Sequence, residues 1–329
     1  MPCCAEQSRI GGVVTRRILV TGASGFVAQA LFSARGAGDE YFAASRTVLD
    51  IEGVQWRQSP TLSGSADWKS VLKEIDIVVH LAARVHLPGD GDQSTYLVEN
   101  CDGAVKLAQD AIEVGVRRFI FLSTSKVLGD ESGEGPLDET APMRPGDAYA
   151  ASKLAAEQAL PSLGGGMHTT VLRPPLVYGP GVKANFLALL SAVFRGVPLP
   201  LGSIKNRRSL IYVDNLASAI IACVDSTAAA GRIYNVADDP SVSTPDLVRA
   251  LAAASGRSPR LFPVPPVALE ACGALVGREE TVKRLTRSFE VDSSAIRSEL
   301  GWRPPHSFER GIERTVRWYE NASRKAAYR

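Results

Sequence analysis

Tyr149 and Lys153 stand four residues apart in Tyr149-Ala150-Ala151-Ser152-Lys153, a spacing that sets a phenol and an ammonium on one face of a helix. Unperturbed Tyr and Lys titrate near ~10 and ~10.4, and a fixed ammonium favours phenolate. The pair therefore predicts a tyrosine with a lowered pKa that acts as a general acid or base. Taken alone, the same spacing also fits an ordinary solvated helix face, so the elements around it decide.

The segment Ile18-Leu19-Val20-Thr21-Gly22-Ala23-Ser24-Gly25-Phe26-Val27-Ala28 reads as an apolar strand, a glycine turn and a helix start. Gly22 permits the tight turn, Gly25 lets backbone approach a pyrophosphate, and Ala28 allows the helix to sit close on the sheet. Free amides of Ser24, Gly25, Phe26 and Val27 would then face the phosphates. Such a turn predicts a dinucleotide site. Its Gly-x-x-Gly-x-x-Ala spacing differs from the Gly-x-Gly-x-x-Gly of many dehydrogenases.

Thr-Gly-x-x-Gly-Phe-x-Ala near the start and Tyr-x-x-x-Lys near residue 150 together resemble the extended short-chain dehydrogenase/reductases, over about residues 16–320. His80-Leu81-Ala82-Ala83 matches the small residues that this family sets against its cofactor. Asn100 with Gly103 resembles its Asn-x-x-Gly helix start, and Phe121-Leu122-Ser123-Thr124-Ser125 its hydroxyl-bearing strand end. The resemblance implies a triad of Thr124, Tyr149 and Lys153, with Lys153 also reaching the nicotinamide ribose. Ser125 is the second choice for the hydroxyl, on the substrate side. Ser123 is read as supporting backbone at the cofactor, and Leu81, Ala82, Ala83, Asn100 and Pro174 as cofactor neighbours.

Cofactor choice is read where the second strand ends, at Ala43-Ala44-Ser45-Arg46. Ser45 and Arg46 favour the 2′-phosphate of NADP, whereas Asp50 is an acid that could reach the ribose of NAD. The expected cofactor is NAD(P), with NADP preferred.

Substrate class is read in the second half. Arg207-Arg208-Ser209-Leu210-Ile211-Tyr212-Val213-Asp214 and Asn185-Phe186 resemble the segments with which nucleotide-sugar enzymes of this family hold a diphosphate. Arg208 is the better aligned arginine, and Arg284, before Phe289-Glu290-Val291-Asp292, resembles a second diphosphate ligand. A planar guanidinium donates paired hydrogen bonds to phosphate. The string from Arg173-Pro174-Pro175 to Asn185-Phe186 is similar to a subgroup of bacterial surface-polysaccharide (O-antigen, lipopolysaccharide) synthesis. That subgroup includes 4-reductases of UDP-4-keto-6-deoxy-N-acetylhexosamines and lies close to UDP-glucose 4-epimerases. Ala83-Arg84-Val85-His86 is shared with it, which puts Arg84 and His86 at the sugar pocket or in a structural loop.

The resemblance thus implies an oxidoreductase at C4 of a UDP-sugar, with a 4-keto reductase first. A 4-epimerase with bound NAD is the alternative, and a non-catalytic NAD(P) sensor the remote one. Because Tyr149 and Lys153 are both present, the sensor ranks last.

To position these residues the chain must build a buried parallel sheet. Apolar runs at Ile18–Thr21, Tyr41–Ser45, Ile77–Leu81, Phe119–Ser123 and Thr169–Leu172 alternate with helical stretches around Phe26–Arg35, Tyr96–Val114 and Ala150–Leu160. That alternation predicts an α/β, Rossmann-type doubly wound sheet with a smaller mixed α/β substrate domain. The expected boundaries are a disordered leader over 1–15, a cofactor domain over 16–180 and a substrate domain over 181–329, part of 209–240 returning to the sheet. Helices are expected at Asp214–Val224, from a Thr244 cap to Gly256, and at Phe308–Tyr319. Val264–Val276 reads as a packing segment or an amphipathic lid.

The 329 residues suffice for two such units. With 37 basic and 35 acidic residues the net charge is +2, which gives no overall case for nucleic acid. Five cysteines without paired spacing fit a reducing compartment, and no metal-ligand spacing is present. Residues 1–15 lack a signal peptide's apolar run, and nothing approaches the ~20 apolar residues of a membrane span. The expectation is a cytoplasmic homodimer, paired through the helices around Tyr96–Val114 and Ala150–Leu160.

Overall fold

The computed structural model describes residues 15–85 and 93–327, and the side chains of all but Gln93 and residues 325–327. Most of the leader and His86 lie outside the described residues. Seven strands form one parallel sheet: β1 (Arg17–Thr21), β2 (Glu40–Ser45), β3 (Val54–Gln58), β4 (Ile77–His80), β5 (Arg118–Leu122), β6 (His168–Arg173) and, later in the chain, Ile233–Asn235. The last of these is β9, because two short strands, β7 (Leu176–Tyr178) and β8 (Leu210–Tyr212), precede it and pair with each other. The sheet order is β3-β2-β1-β4-β5-β6-β9. The order in which strands are laid down reverses between β1 and β4, so the crevice at their carboxyl ends is the topological switch point where doubly wound sheets take ligands.

Central strands β1, β4 and β5 are apolar because helices cover both faces. One layer contains α1 (Phe26–Ala34). The other holds α2 (Gln93–Leu97), α3 (Gly103–Glu113) and α4 (Ala148–Ser162). Leu31 and Phe32 of α1 pack with Leu216 and Ile220 of a later helix, and Leu107 and Ala111 of α3 with Ala156 and Leu160 of α4.

The remaining helices are α5 (Ala184–Phe194), α6 (Val213–Asp225), α7 (Thr244–Ala254), α8 (Pro266–Leu275), α9 (Glu279–Thr286), α10 (Ser294–Leu300) and α11 (Phe308–Ala327). α6 is the helix that packs on α1, and β9 lies beside β6, so residues 213–235 belong to the large sheet's layers. A separate apolar cluster joins α5, α7 and α11 to the β7–β8 pair.

Three local expectations change. β3 does not look like a strand because Val54-Gln55-Trp56-Arg57-Gln58 is half polar, as suits an edge with one neighbour. The helix expected over Tyr96–Val114 is instead α2 and α3 joined by a π-helical turn, Val98–Asp102. The cap of α7 is Ser243, whose hydroxyl accepts from the Asp246 amide at 3.1 Å, leaving Thr244 as the first helical residue.

α8 and α9 form a hairpin in which Gly273 lies against Val282, and Val267 and Leu275 of α8 stay exposed. Among the described residues no helix is long and apolar enough to cross a membrane.

Candidate active site

The glycine turn comes first. Gly22 has φ +66°, and a Cβ there would lie 2.7 Å from the Ala82 amide nitrogen. The turn is thus pressed against the end of β4, which explains glycine at 22 and small residues at 82 and 83. The Gly25 amide donates to Gly22 O at 2.8 Å, and a Cβ on Gly25 would meet that same oxygen at 2.9 Å. No side chain caps α1 and its first turn contains no acid. Ser24 and Gly25 are exposed, so the positive end of the helix is open to an anion.

Thr21 fastens this turn to β4. Its Oγ1 accepts from Ala82 N at 3.4 Å and stands 2.7 Å from His80 Nδ1. With the hydroxyl proton directed at Nδ1, the imidazole has its own proton on Nε2. Full burial, and then Lys153, push His80 down to about 3, so it is a neutral ring stacked on Phe121 at 5.9 Å.

Tyr149, Lys153 and Glu157 follow one another at one-turn intervals along α4, an alanine-rich helix capped by Asp147, whose carboxylate accepts from Ala150 N at 2.8 Å. Lys153 is 1% exposed with Nζ 3.9 Å above the centre of the Phe121 ring. Burial pushes the lysine down to about 7, although Glu157 opposes this. Tyr149 moves the other way, up to about 12, through burial and then the Asp147 charge. The expected ammonium-lowered phenol is therefore corrected: burial and the Asp147 charge push it the other way. Glu157 is itself held by Arg173 at the end of β6, Nη2 to Oε2 2.6 Å, a buried pair that fastens α4 to the sheet.

The hydroxyl candidates stand at the carboxyl end of β5. Thr124 caps a 3₁₀ turn over Ser125–Leu128 and accepts from Lys126 N at 3.3 Å, which leaves its own proton to donate. Ser123 and Ser125 hydroxyls are buried without a partner. Thr124 is 8% exposed against 0% for Ser125, so Thr124 is the more reachable. The Ser125 amide donates to Pro174 O at 2.9 Å, which sets β5's end against β6's.

Two expected ligand residues are engaged within the protein. Asn100 donates to Arg84 O at 3.0 Å and to Ser152 Oγ at 2.9 Å, and its Oδ1 accepts from Arg84 N at 2.7 Å. This amide links the β4 loop to the catalytic helix, a role made possible by the π turn around it. Arg84 directs its guanidinium to Glu99, Nη1 to Oε1 3.0 Å, so it belongs to the loop's own framework. At β2, Ser45 donates to Thr47 O and accepts from Trp56 Nε1 at 3.0 Å, whereas Arg46 is exposed.

On the far wall, Arg208 precedes β8 and Arg284 lies on α9. Burial, then the neighbouring Arg284, push Arg208 down to about 10. Arg208 Nη1 reaches Arg287 O at 3.1 Å, and the Arg284 Nε is buried without a partner. Two neighbouring guanidiniums, Arg208 largely desolvated, gain from an anion between them. Next to them a cavity of about 480 Å³ is lined by Gly129, Asp130, Arg144 and Arg284 among others. Asn185 is exposed in the first turn of α5, after Ala184 at φ +52°, an uncommon backbone for alanine.

Sequence reading had missed Asp147, Lys126, Glu157 and Arg173. Asp147 had a legible signal, an Asp three residues before Ala150 at a helix start; the other three needed the fold to bring them together.

The glycine turn at the switch point of a doubly wound sheet defines a dinucleotide-binding protein of the Rossmann type. Residues 18–237 match the family described as NAD dependent epimerase/dehydratase, and the chain belongs to that family, as an extended short-chain dehydrogenase/reductase. It is 36% identical over 319 residues to a UDP-glucose 4-epimerase of Vibrio cholerae, covering 94% of this chain and 97% of that one. It is 30% identical to a dTDP-glucose 4,6-dehydratase of Streptomyces griseus, over 93% of this chain and 94% of the relative. The fold matches that of Thermus thermophilus UDP-glucose 4-epimerase, solved as a complex with NAD, with a TM-score of 0.75 and 26% identity, over 93% of this chain and 99% of that one.

Proposed function

We propose that the protein performs redox chemistry at C4 of a UDP-sugar, with Tyr149 as the proton-transferring group. The observation that carries this reading is that Arg284, neighbour of Arg208, stands 3.9 Å from Asp147, the residue that caps the helix of Tyr149 and Lys153. The glycine turn and the open end of α1 fit NAD, which when bound supplies the oxidation and reduction. Gly22, Gly25 and the first amides of α1 hold its pyrophosphate. Lys153 reaches its ribose, and Leu81, Ala82, Ala83, Ser123 and Pro174 line its bed.

At the substrate, Thr124 donates to the C4 oxygen, with Ser125 behind it, while Tyr149 gives or takes the proton on that oxygen. Arg208, Arg284 and Asn185 hold the diphosphate. Proton transfer at this one atom serves two outcomes. Epimerisation is the first reading, favoured by the 36% identical relative. Net reduction of a 4-keto-6-deoxy-N-acetylhexosamine, in surface-polysaccharide synthesis, is the second, favoured by exposed Arg46 at the β2 end. With Ser45 engaged by Trp56 and Thr47, NADP preference rests on Arg46 alone.

Incubation with UDP-glucose and UDP-N-acetylglucosamine, without added cofactor, tests the first reading: the C4 epimer appears and NAD is recovered from the denatured enzyme. NADPH oxidation that depends on a UDP-4-keto sugar selects the second. In that case Arg46→Asp moves the NADPH/NADH ratio of catalytic efficiencies by at least about tenfold, since a charge-assisted hydrogen bond is worth ~1.5–3 kcal/mol. A homodimer fits the exposed Leu97 and Val98 beside α3, which sedimentation checks.

A further inference from the structure

Thr124 and Tyr149 come from different parts of the chain, and one ion pair joins their segments. Asp147 caps α4 with its Oδ1 on Ala150 N, while its Oδ2 binds Lys126 Nζ. Lys126 belongs to the 3₁₀ turn that Thr124 caps, and its amide donates to Thr124 Oγ1 at 3.3 Å. A single carboxylate is thus shared between the piece that holds the tyrosine and the piece that holds the hydroxyl. Arg284 Nη2 stands 3.9 Å from the same Oδ2.

We propose that Asp147 and Lys126 are a positioning pair for Tyr149, locking its helix to the Thr124 segment and setting the net charge that the phenol meets. The proposal rests on the reading above for Tyr149 as the proton-transferring group, but its effect on that side chain is measurable without any substrate. Several charges face the pair: Lys126 comes from the 3₁₀ turn, Asp130, whose carboxylate lies against Gly146, from the loop after it, Arg284 from α9 with Arg208 beside it, and Lys153 and Glu157 from α4. Glu157 is bound to Arg173, and His80 beside Lys153 is neutral. Burial raises Asp147 but Lys126, the Ala150 amide and Arg284 outweigh it, so the group is a carboxylate at neutral pH. Its charge adds to burial in holding the phenol proton on.

The sign of each substitution follows. Asp147→Asn keeps a cap that accepts from Ala150 N and removes the negative charge, so Tyr149 ionises more readily. A lysine loses its proton near ~10.4, below the phenol's transition at about 12, whereas arginine stays charged. Lys126→Arg therefore neutralises Asp147 there and also makes Tyr149 ionise more readily, and Lys126→Met leaves it as in wild type. A residue that only held the helix in place would not separate the arginine variant from the methionine variant. The test uses the full chain labelled with ¹³Cζ-tyrosine, titrated by NMR with and without saturating NAD. Tyr149 is assigned by the resonance lost in Tyr149→Phe.

Within the transition, the tyrosinate fraction is expected to be higher in Asp147→Asn and Lys126→Arg than in wild type and Lys126→Met, with midpoints lower by roughly half a pH unit. Equal fractions in all four proteins, or Lys126→Arg and Lys126→Met moving together, would overturn the proposal. Absence of NAD binding would count against the cofactor reading alone, because the ranking holds in the cofactor-free titration.

Discussion

Tyr149 and Lys153 have opposite shifts for the same reason: loss of water around a half-buried phenol and a buried ammonium disfavours the charged form of each. Replacing Tyr149 by Phe keeps the ring and deletes the proton. Turnover should fall ~10²–10⁴-fold while NAD affinity is retained, measured by steady-state rates and calorimetry. Lys153 gives a stability prediction with a definite sign. Its folded pKa of about 7 lies below the ordinary lysine value of ~10.4, so the unfolded chain binds more protons between these limits. Stability contributed by this group rises with pH across that window, and its cost is fully present below about pH 7. Lys153→Met should therefore melt higher than wild type at pH 7, by about 1–2 °C per kcal/mol gained, with the difference shrinking toward pH 10. A difference independent of pH would place the stabilisation elsewhere. The phenol–lysine spacing was legible in the sequence; the direction of the phenol's shift was not, because burial is a property of the packed helix.

Elements were legible where burial is two-sided. β1, β4 and β5 announce themselves as apolar runs, whereas β3 pairs on one side only and spells half-polar residues. The π turn over Val98–Asp102 had no signal, since its cause is tertiary: it serves the hydrogen bonds from Asn100 to Arg84 and Ser152. α4 depends on a partner that no local pattern predicts. Arg173 at the end of β6 is 1% exposed and binds Glu157, 2% exposed, through three guanidinium hydrogen bonds. Such a pair gains little over an apolar substitute, but removing one partner strands the other charge. Arg173→Met should accordingly destabilise the fold by about 3–5 kcal/mol in urea unfolding, and a double change of Arg173→Met with Glu157→Leu should recover much of it.

At the scale of the whole molecule, the proposed function assigns the cofactor bed to one sheet and the anion wall to the second half of the chain. The cofactor half was readable because strand, glycine turn and helix start are contiguous in sequence. The wall was readable only as separate arginines: Arg208 and Arg284 lie seventy-six residues apart, and β8 and α9 bring them together. Arg84 lacked that support and turned out to serve Glu99. Calorimetric titration of UDP and of NAD into wild type and Arg208→Ala tests the central claim that this wall takes a sugar-nucleotide diphosphate. UDP should bind wild type and lose ~10–150-fold in affinity in the variant, the equivalent of ~1.5–3 kcal/mol, while NAD affinity stays unchanged. No UDP binding to wild type, or equal losses for both ligands, would contradict it.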